Sequence, residues 1–551
     1  MTPRHAETIL SNARVRTMDP ARPRAEALAI AGGRILAVGS QGEIAALAGP
    51  GTRVHNLHGR AVMPGLVDAH THGLWGAARD LFEVYAGLGA PLDKLLALLA
   101  TRLAQTPPGE WVCGGPWRAH ARHELGENPA TLLDRIAPHH PVALRETTQH
   151  SLWLNSAGLR LANITATTPD PAGGRIARDA AGNPTGILEE TAMALALPLI
   201  DLTAARREQA ARHMAGYFHR MGLTAFKEPM AFEADLIAYA RADADDALNL
   251  HVGAHLSRSA PFGPGLVAME TLAEWRRTYG RGHLHTGFAK LFLDGVAPSH
   301  TAAFTEPYLP APGYDPANHD PEAMLLIPPA ELAHEVTALD AAGFTVKMHA
   351  VGDRAVQAGL DAIAAARSAN GASGLRHEIA HAPFIRPQDL ARFAELGAVA
   401  EVSPKLWFPS PVTEGQRAVL GAARVERCHP IGDLLRAGAE VVYGSDWPAA
   451  AADANPWPGI AGMISRRDPL GRLAGTLGAD QAISLDQALA IFTHNGARAL
   501  RLEQTTGRIS AGFSADLVVL EAPLETLAPD EIATITPLAT VFEGRVVHGA
   551  L

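Results

Sequence analysis

The fold is decided by residues 62–72, which read VMPGLVDAHTH. A short apolar strand follows the Pro-Gly pair and leads into Asp68-Ala69-His70-Thr71-His72. Side chains along a strand alternate between its two faces, so we expect His70 and His72 to project together into the interior. Two imidazoles on one face near the carboxyl end of a strand form half of a metal site.

Further short apolar segments follow this one, and helical patterns fill the intervals between them. The eight predicted strands are 66–72, 224–228, 248–255, 288–293, 345–349, 378–381, 399–403 and 441–445. Several are preceded by a glycine, where a preceding helix would need its left-handed stop. Eight strand–helix units with nearly continuous apolar strands favour an α/β fold, a parallel (β/α)₈ TIM barrel, over an open sheet.

Strand-rich segments lie on both sides of this core. Residues 25–31 and 34–38 are joined by Gly32-Gly33, a hairpin signal, and the C-terminal candidates are 517–520, 539–542 and 545–548. Neither group is long enough to form a stable β-domain alone. We therefore predict that residues 1–62 and 503–551 build one composite β-sandwich domain, with the barrel spanning residues 63–502.

One interval is far longer than a barrel needs. About 150 residues separate the first predicted strand from the second, and they include Trp111, Trp117 and Trp153. We interpret residues 75–200 as a large insertion after barrel strand 1, a cap subdomain over the barrel mouth that contributes to the substrate pocket. The alternative is a structural cap without ligand contacts.

Composition narrows the class of protein. The net charge of -10 is spread over 551 residues without a basic stripe, which argues against a nucleic-acid partner. The two cysteines, Cys113 and Cys428, are far apart, so a disulfide framework is excluded and a reducing compartment fits. No segment reaches the roughly 18 consecutive apolar residues of a membrane helix. We predict a cytoplasmic protein without a membrane partner.

The other ligand candidates lie at the ends of other predicted strands, where a barrel draws its active-site residues. They are His349, His381 and Asp446, together with Lys290 inside the apolar segment 288–293. An ammonium in an apolar strand is costly unless it is neutralised, paired or chemically altered. A neutral lysine can react with carbon dioxide to give an anionic carbamate that bridges two metals. The alternative is an ion pair with Asp294 or Asp446.

Residues 377–381 contain a motif that also occurs in a different class of metal enzyme. Residues 377–381 read HEIAH and match the H-E-x-x-H signature of zinc peptidases, which works only on a helix. Gly374 precedes the motif and Pro383 follows it, so a helix here would be cut short. The strand interpretation is preferred; it makes His381 the ligand and gives Glu378 no role as a base.

An ordered set of motifs resembles the amidohydrolase superfamily, specifically amidohydrolase family 3, the branch of N-substituted formamide deformylase-like metal-dependent hydrolases. The matching segments are VMPGLVDAHTH (62–72), HSLWLNSAGL (150–159), PTGILEE (184–190), FAKLFLDG (288–295), FTVKMHAVGDRAV (344–356), RHEIAHA (376–382), YGSDWP (443–448) and GRISAGFSADLVVL (507–520). The resemblance spans nearly the whole chain. It implies that the family's metal positions are His70, His72, Lys290, His349, His381 and Asp446.

Two segments depart from the family pattern. Residues Thr147-Thr148-Gln149 stand where relatives usually carry an acidic-Gly pair, and His300 stands where an arginine is common. These differences affect what can be inferred about the identity of the substrate, whereas the six predicted metal ligands are all present.

The ligand set implies a mechanism. We expect His70, His72 and Asp446 to hold one divalent metal, His349 and His381 a second, and carboxylated Lys290 to bridge the two. A metal-activated hydroxide attacks the carbonyl of an amide-type C–N bond other than a peptide bond. Asp446 acts as general base and then as general acid. His150 or His300 could hydrogen-bond the developing oxyanion, with a structural role as the alternative for each.

Zinc is the favoured metal, while iron, manganese, nickel or a single-metal site remain open. The rival enzymes on such a barrel are a deaminase, which generally lacks a bridging lysine, and an esterase or lactonase. A non-catalytic binding protein is a further alternative, although such proteins typically lose ligands. The partner is a small-molecule substrate, and a homodimer is typical of the superfamily.

Overall fold

The computed structural model describes residues 5–87, 89–118, 122, 124–147, 149–259, 266–311 and 314–551. Thr148, part of one departure from the family pattern, lies outside them. The strands before the barrel are β1 (Thr8–Ser11), β2 (Arg14–Arg16), β3 (Arg24–Ala25), β4 (Ala27–Ala31), β5 (Arg34–Gly39), β6 (Arg53–Asn56) and β7 (Ala61–Pro64). The first barrel strand is β8 (Leu66–Asp68), and the strands of the insertion are β9 (Val84–Tyr85), β10 (Val112–Trp117), β11 (Val142–Glu146), β12 (Ser151–Leu154), β13 (Gly174–Arg178) and β14 (Pro184–Glu190). The remaining barrel strands are β15 (Leu223–Ala231), β16 (His251–Ser257), β17 (Leu284–Phe292), β18 (Thr345–Ala350), β19 (Glu378–His381), β20 (Val399–Val402) and β21 (Glu440–Tyr443), followed by β22 (Leu517–Leu520), β23 (Ala539–Phe542) and β24 (Arg545–Gly549).

The helices mostly fill the intervals between barrel strands. They are α1 (Gln41–Ala45), α2 (Gly73–Phe82), α3 (Leu92–Leu103), α4 (Pro129–Ile136), α5 (Ser156–Leu161), α6 (Ala204–His219), α7 (Glu233–Ala244), α8 (Met269–Tyr279), α9 (Pro329–Ala341), α10 (Asp353–Asn370), α11 (Leu390–Leu396), α12 (Pro411–Leu420), α13 (Ala422–Val425), α14 (Ile431–Arg436), α15 (Trp457–Ser465), α16 (Leu485–Phe492), α17 (His494–Ala499) and α18 (Pro529–Ala533). Within the described ranges, no helix combines the length and the apolar character needed to cross a membrane.

The barrel consists of eight parallel strands in the order β21-β20-β19-β18-β17-β16-β15-β8. Backbone hydrogen bonds from Ala69 N to Tyr443 O, 2.7 Å, and from Asp446 N to His70 O, 2.8 Å, connect the first strand to the last. Helices flank the strands, and their apolar faces share one continuous core with the outer faces of the strands. The TIM-type barrel expected from the strand pattern is therefore present, with all eight strands in the expected segments.

The bounds of strands β19 and β8 test what the sequence predicted for the H-E-x-x-H segment and for the pair His70 and His72. Glu378–His381 is strand β19, so the H-E-x-x-H segment is not helical, as expected from Gly374 and Pro383. The first strand is shorter than predicted, because β8 ends at Asp68 and the chain then turns into α2, whose N-cap is His72. His70 and His72 therefore lie in a turn beyond the strand, and strand alternation is not what brings them together.

The terminal segments form two sheets. One contains only N-terminal strands, in the order β5-β4-β1-β6, and the other, β24-β23-β22-β7-β2-β3, joins strands from both ends of the chain. A single apolar cluster fills the space between them, with Leu10, Ile30 and Ile35 from the first sheet and Leu517 and Val541 from the second. The predicted hairpin is present as antiparallel β4 and β5.

A buried carboxylate ties the C-terminal segment to the barrel. Asp516, just before β22, accepts hydrogen bonds from His251 Nε2 at 3.0 Å, Thr506 Oγ1 at 2.7 Å and Ser514 Oγ at 2.6 Å. Burial raises the pKa of Asp516, but the hydrogen bonds and the charge of His251 outweigh burial and lower the pKa below its usual range. His251 is the first residue of β16, so this network anchors the terminal sheet to the amino end of a barrel strand.

Asp516→Asn is expected to lower the free energy of unfolding at pH 7 by about 2 kcal/mol or more, because several hydrogen bonds to a buried charge are lost. A carboxyl whose pKa is lowered by folding stabilises fully above its unfolded pKa, about 4, and this contribution disappears as the pH falls through the folded value. Urea unfolding at a series of pH values should therefore show the wild type and the variant converging in acid. A constant difference down to pH 3 would contradict this assignment.

The insertion forms its own mixed sheet, in the order β13-β14-β12-β11-β10-β9. Strands β9, β10 and β11 are parallel, whereas β12, β13 and β14 are antiparallel to their neighbours. Two apolar clusters cover its faces, one around Trp153 and Leu144 and the other around Leu152 and Leu188. This sheet follows α2, the helix that begins directly after His72.

Candidate metal centre

Three of the predicted ligands form a compact buried cluster of donor atoms. The Nε2 atoms of His70 and His72 lie 3.6 Å and 3.5 Å from Asp446 Oδ1. Asp68 holds the two strand ends in place, because its Oδ1 accepts hydrogen bonds from His70 N and Ser445 N, each 3.1 Å. The cluster therefore depends on the closure of the barrel between its first and last strands.

The spacing of these atoms fits a metal ion. Ligands about 2.0–2.2 Å from a tetrahedral zinc ion lie roughly 3.4 Å from one another. The observed separations between nitrogen and oxygen, 3.5 Å and 3.6 Å, are close to that value and longer than a normal hydrogen bond. Among the described residues, His70, His72 and Asp446 are the one group of at least three such side chains with donor atoms this close.

His349 and His381 continue the cluster on neighbouring strands. The ring of His381, at the end of β19, lies 4.7 Å from the ring of His70 and 4.6 Å from the ring of His349. The four imidazoles thus form a continuous row across the mouth of the barrel. The structure brings together all the predicted histidine ligands, although only the first two share a tight group with Asp446.

Each of these histidines has an oxygen atom of another side chain near its Nδ1 atom. His349 Nδ1 lies 3.0 Å from Asp294 Oδ1, His381 Nδ1 lies 2.8 Å from Ser403 Oγ, and His70 Nδ1 contacts Glu401 Oε2. His72 Nδ1 lies 3.6 Å from Glu228 Oε1. An oxygen acceptor at Nδ1 leaves the Nε2 lone pair available for a metal, which is the usual arrangement around metal-binding histidines.

These acceptors were not identified from the sequence. Asp294 is the acceptor beside His349, whereas the Oδ1 atom of the neighbouring Asp353 accepts from Thr305 N at 2.7 Å. Asp294 is the second-to-last residue of the FAKLFLDG motif, and its carboxylate also accepts from the backbone of Val351 and Gly352. A signal was present for Glu401, which is an acidic residue inside the apolar segment 399–403.

The electrostatics of the site favour neutral imidazoles at two positions. Burial and the charges of Lys347 and Lys290 hold the pKa of His70 well below its usual range. Burial, His349 and Lys290 do the same for the pKa of His381. For His72, burial lowers the pKa, but the nearby carboxylates of Asp446 and Glu228 outweigh burial and raise the pKa to about 9. His72 therefore pairs with carboxylates when no cation competes.

Lys290 lies in β17 with only 1% of its surface exposed. Burial and the charge of Lys347, its partner in the register of β17 and β18, lower the pKa of Lys290 to about 7. Its Nζ lies 4.8 Å from the ring centre of Phe292. No carboxylate of a described residue lies within ion-pair distance of this Nζ, so the alternative pairing with Asp294 or Asp446 is absent.

The barrel interior also contains an ion-pair network that was not anticipated. Lys227 bonds to Glu378, and Lys347 lies 3.1 Å from Glu378 and 3.7 Å from Glu401. These four side chains, two basic and two acidic, are completely buried. The chain contains only five lysines, and of these only Lys94 is exposed. Lys290 is the barrel lysine that the network leaves unpaired.

The two histidines proposed for the oxyanion lie outside this row. His150 precedes β12 in the inserted sheet, and its Nδ1 lies 2.9 Å from Glu190 Oε2. His300 lies in the loop after β17, where its ring stacks near Tyr308 at 4.8 Å and Tyr314 at 5.3 Å. In the described part of the chain, no ring contact, hydrogen bond or ion pair joins either histidine to the six predicted metal ligands.

Backbone strain coincides with the candidate site. Asp446 has a φ of 53° and His381 a φ of 73°, a region that residues other than glycine seldom occupy. Glu190 and His300 share this feature, with φ values of 53° and 57°. Such strain persists only where the surrounding structure enforces it, and it is common at functional sites.

The histidines and the aspartate lie beyond the carboxyl ends of parallel barrel strands, which is where barrel enzymes have their active sites. The sequence profile described as the amidohydrolase family matches residues 53–548. The chain therefore belongs to the amidohydrolase family, a family of hydrolases.

Individual relatives match over nearly the full length. Protein LONG AFTER FAR-RED 3 of Arabidopsis thaliana is 30% identical, over 98% of this chain and 92% of that protein. N-substituted formamide deformylase of Arthrobacter pascens is 29% identical, over 98% of this chain and 97% of that enzyme. The structure of an uncharacterized metal-dependent hydrolase from Pyrococcus horikoshii OT3 has the same fold, with a TM-score of 0.74 at 22% identity, covering 98% of this chain and all of that one.

Proposed function

We propose that this chain is a metal-dependent amidohydrolase that cleaves a C–N bond other than a peptide bond in a small molecule. The observation that carries the proposal is the convergence of His70 Nε2 and His72 Nε2 on Asp446 Oδ1 at 3.5–3.6 Å. The similarity to an N-substituted formamide deformylase supports the choice of an amide-type bond. A homodimer and a cytoplasmic location remain predictions of the sequence.

His70, His72 and Asp446 would hold one divalent cation, with zinc favoured by two imidazoles and a carboxylate. A cation bound there lowers the pKa of a water molecule and polarises a substrate carbonyl. Asp446 then serves as the proton acceptor during attack on the carbonyl carbon and returns the proton to the leaving nitrogen. Glu401 and Glu228 keep the two imidazoles oriented through their Nδ1 atoms.

His349, His381 and Lys290 are proposed as the second set of ligands. The pKa of Lys290, lowered to about 7, leaves a substantial fraction of neutral amine at physiological pH. The Nζ lone pair can form a bond to the carbon of carbon dioxide, and a proton is released to give a carbamate. The absence of a carboxylate partner for Lys290 among the described residues, beside the paired side chains of Lys227, Lys347, Glu378 and Glu401, supports this role.

His150 and His300 are proposed to contact the substrate carbonyl or its surroundings. His300 supports this assignment because its Nε2 atom is buried and has no hydrogen-bond partner among the described residues. For His150, the contact with Glu190 fixes the ring, and the strained backbone of Glu190 suggests an enforced geometry.

The test is hydrolysis by protein depleted of metal with a chelator and then reloaded with zinc, manganese, nickel or iron. The panel contains N-formyl and N-acyl amides, matched esters and lactones, and a heterocyclic amine. We expect amide cleavage that disappears on depletion and returns with metal, while His72→Asn binds less metal. Faster release of ammonia from the heterocycle would support a deaminase, and hydrolysis only of esters an esterase. Chelator-resistant activity or no cleavage at full loading contradicts the proposal.

A further inference from the structure

The candidate metal centre is connected to the inserted sheet through Trp75. Helix α2 begins at Gly73, directly after the predicted ligand His72. Within its first turn, Trp75 places its ring 5.6 Å from the ring of His72, edge to face at 71°. Trp75 is half-buried, so part of its surface remains open beside the centre.

Arg145 approaches this tryptophan from the inserted sheet. It lies in β11, and its guanidinium carbon is 6.0 Å from the ring centre of Trp75, within the range of a cation–π contact. The side chain is half-buried. Two contacts therefore lead from a predicted metal ligand to the guanidinium of Arg145 in the inserted sheet.

Arg145 differs from other arginines of the insertion because its guanidinium has neither a carboxylate nor a carbonyl partner among the described residues. Arg122 and Arg175 both pair with Glu189, and Arg178 donates to backbone carbonyls of Thr165 and Gly182. The guanidinium of Arg145 makes no hydrogen bond or ion pair with any described residue. A structural arginine at a domain contact normally satisfies its five donors on carbonyls or carboxylates.

Glu83, which follows α2, is an acidic residue whose pKa is affected by the charge of Arg145. Arg145 and Arg79 act to lower the pKa of Glu83, but burial outweighs them and raises it. Glu83 does not reach ion-pair distance of Arg145. The N–H groups of Arg145 are consequently left without a carboxylate partner among the described residues.

We propose that Arg145 binds a carboxylate of the substrate, so that the enzyme acts on amides bearing a carboxylate near the scissile bond. This inference rests on the proposed amide hydrolysis and extends it to a substrate class. A guanidinium presents parallel N–H groups that match the two oxygens of a carboxylate. Arg145 is a specificity residue in this proposal and takes no part in the bond cleavage.

The kinetic test compares N-acetylphenylalanine with N-acetylphenylalanine amide on metal-loaded protein. The wild type is expected to prefer the carboxylate at least about 30-fold in kcat/KM, the loss typical of a charge-assisted hydrogen-bonded contact. Arg145→Met should reduce this ratio to about one, and Arg145→Lys should retain part of it. Arg175→Met, which removes an exposed arginine of the same sheet, should leave the ratio unchanged.

A binding test separates this inference from the proposed function. Calorimetry with 3-phenylpropanoate and 3-phenylpropanamide requires no hydrolysis. Preferential binding of the carboxylate by the wild type, lost in Arg145→Met, supports the anion site even if no amide is cleaved. Equal affinity for the two compounds, or a preference that survives in folded Arg145→Met, overturns it. Circular dichroism confirms that the variants are folded.

Discussion

Asp446→Asn is expected to lower kcat/KM for the best amide substrate about 10³-fold or more, since proton transfer by a positioned side chain contributes about 10²–10⁴-fold. Asparagine keeps an oxygen where Asp446 Oδ1 faces His70 and His72, but it cannot accept and return a proton. The variant should therefore retain much of its metal while losing turnover. The measurements are steady-state kinetics and metal content by mass spectrometry on the same preparation.

A control variant and the metal content of Asp446→Asn together distinguish a role in proton transfer from a role in metal binding alone. Asp486→Asn alters a carboxylate whose side chain is 80% exposed, and it should keep activity within about twofold of wild type. If Asp446→Asn loses activity only in proportion to its metal, Asp446 is a ligand without a role in proton transfer. If the loaded variant keeps more than a tenth of the wild-type kcat/KM, its assignment as general base is wrong.

Lys290→Ala is expected to reduce activity about 10³-fold or more, because a bound metal contributes several kcal/mol to the transition state. The variant should bind less metal, since the proposed bridge between the two ligand sets is removed. Protein supplied with ¹³C-labelled bicarbonate should give a carbamate resonance in the wild type that is absent from Lys290→Ala. Formate or acetate should restore part of the activity by placing a carboxylate in the vacated space.

Lys94→Ala is the matched control, because Lys94 is the exposed lysine of this lysine-poor chain. It should change neither the resonance nor the activity. Full metal content and no carbamate signal in the wild type would rule out the bridging role. The unpaired ammonium of Lys290 would then need another explanation within the barrel.

The inserted sheet and the barrel interior show why some residues escaped sequence interpretation. The rule that singled out Lys290, a charge inside an apolar strand, applies equally to Lys227, Lys347 and Glu401. Applied to every predicted barrel strand, the rule identifies the charged side chains that lie inside the barrel. It does not say which charges pair, because pairing depends on the register of strands that lie far apart in the chain. Lys347 can reach both Glu378 and Glu401 only because their strands are neighbours.

The sequence by itself determined the barrel, its strand positions and the family, because apolar periodicity and ordered motifs are local properties. It also located the histidines and Asp446 near the carboxyl ends of strands. Tertiary structure alone decided that Asp294 and Glu401 hold His349 and His70, that Lys290 is left unpaired, and that Arg145 faces Trp75. The physical reason is that such contacts depend on side-chain direction and on how distant segments pack, which no local pattern specifies.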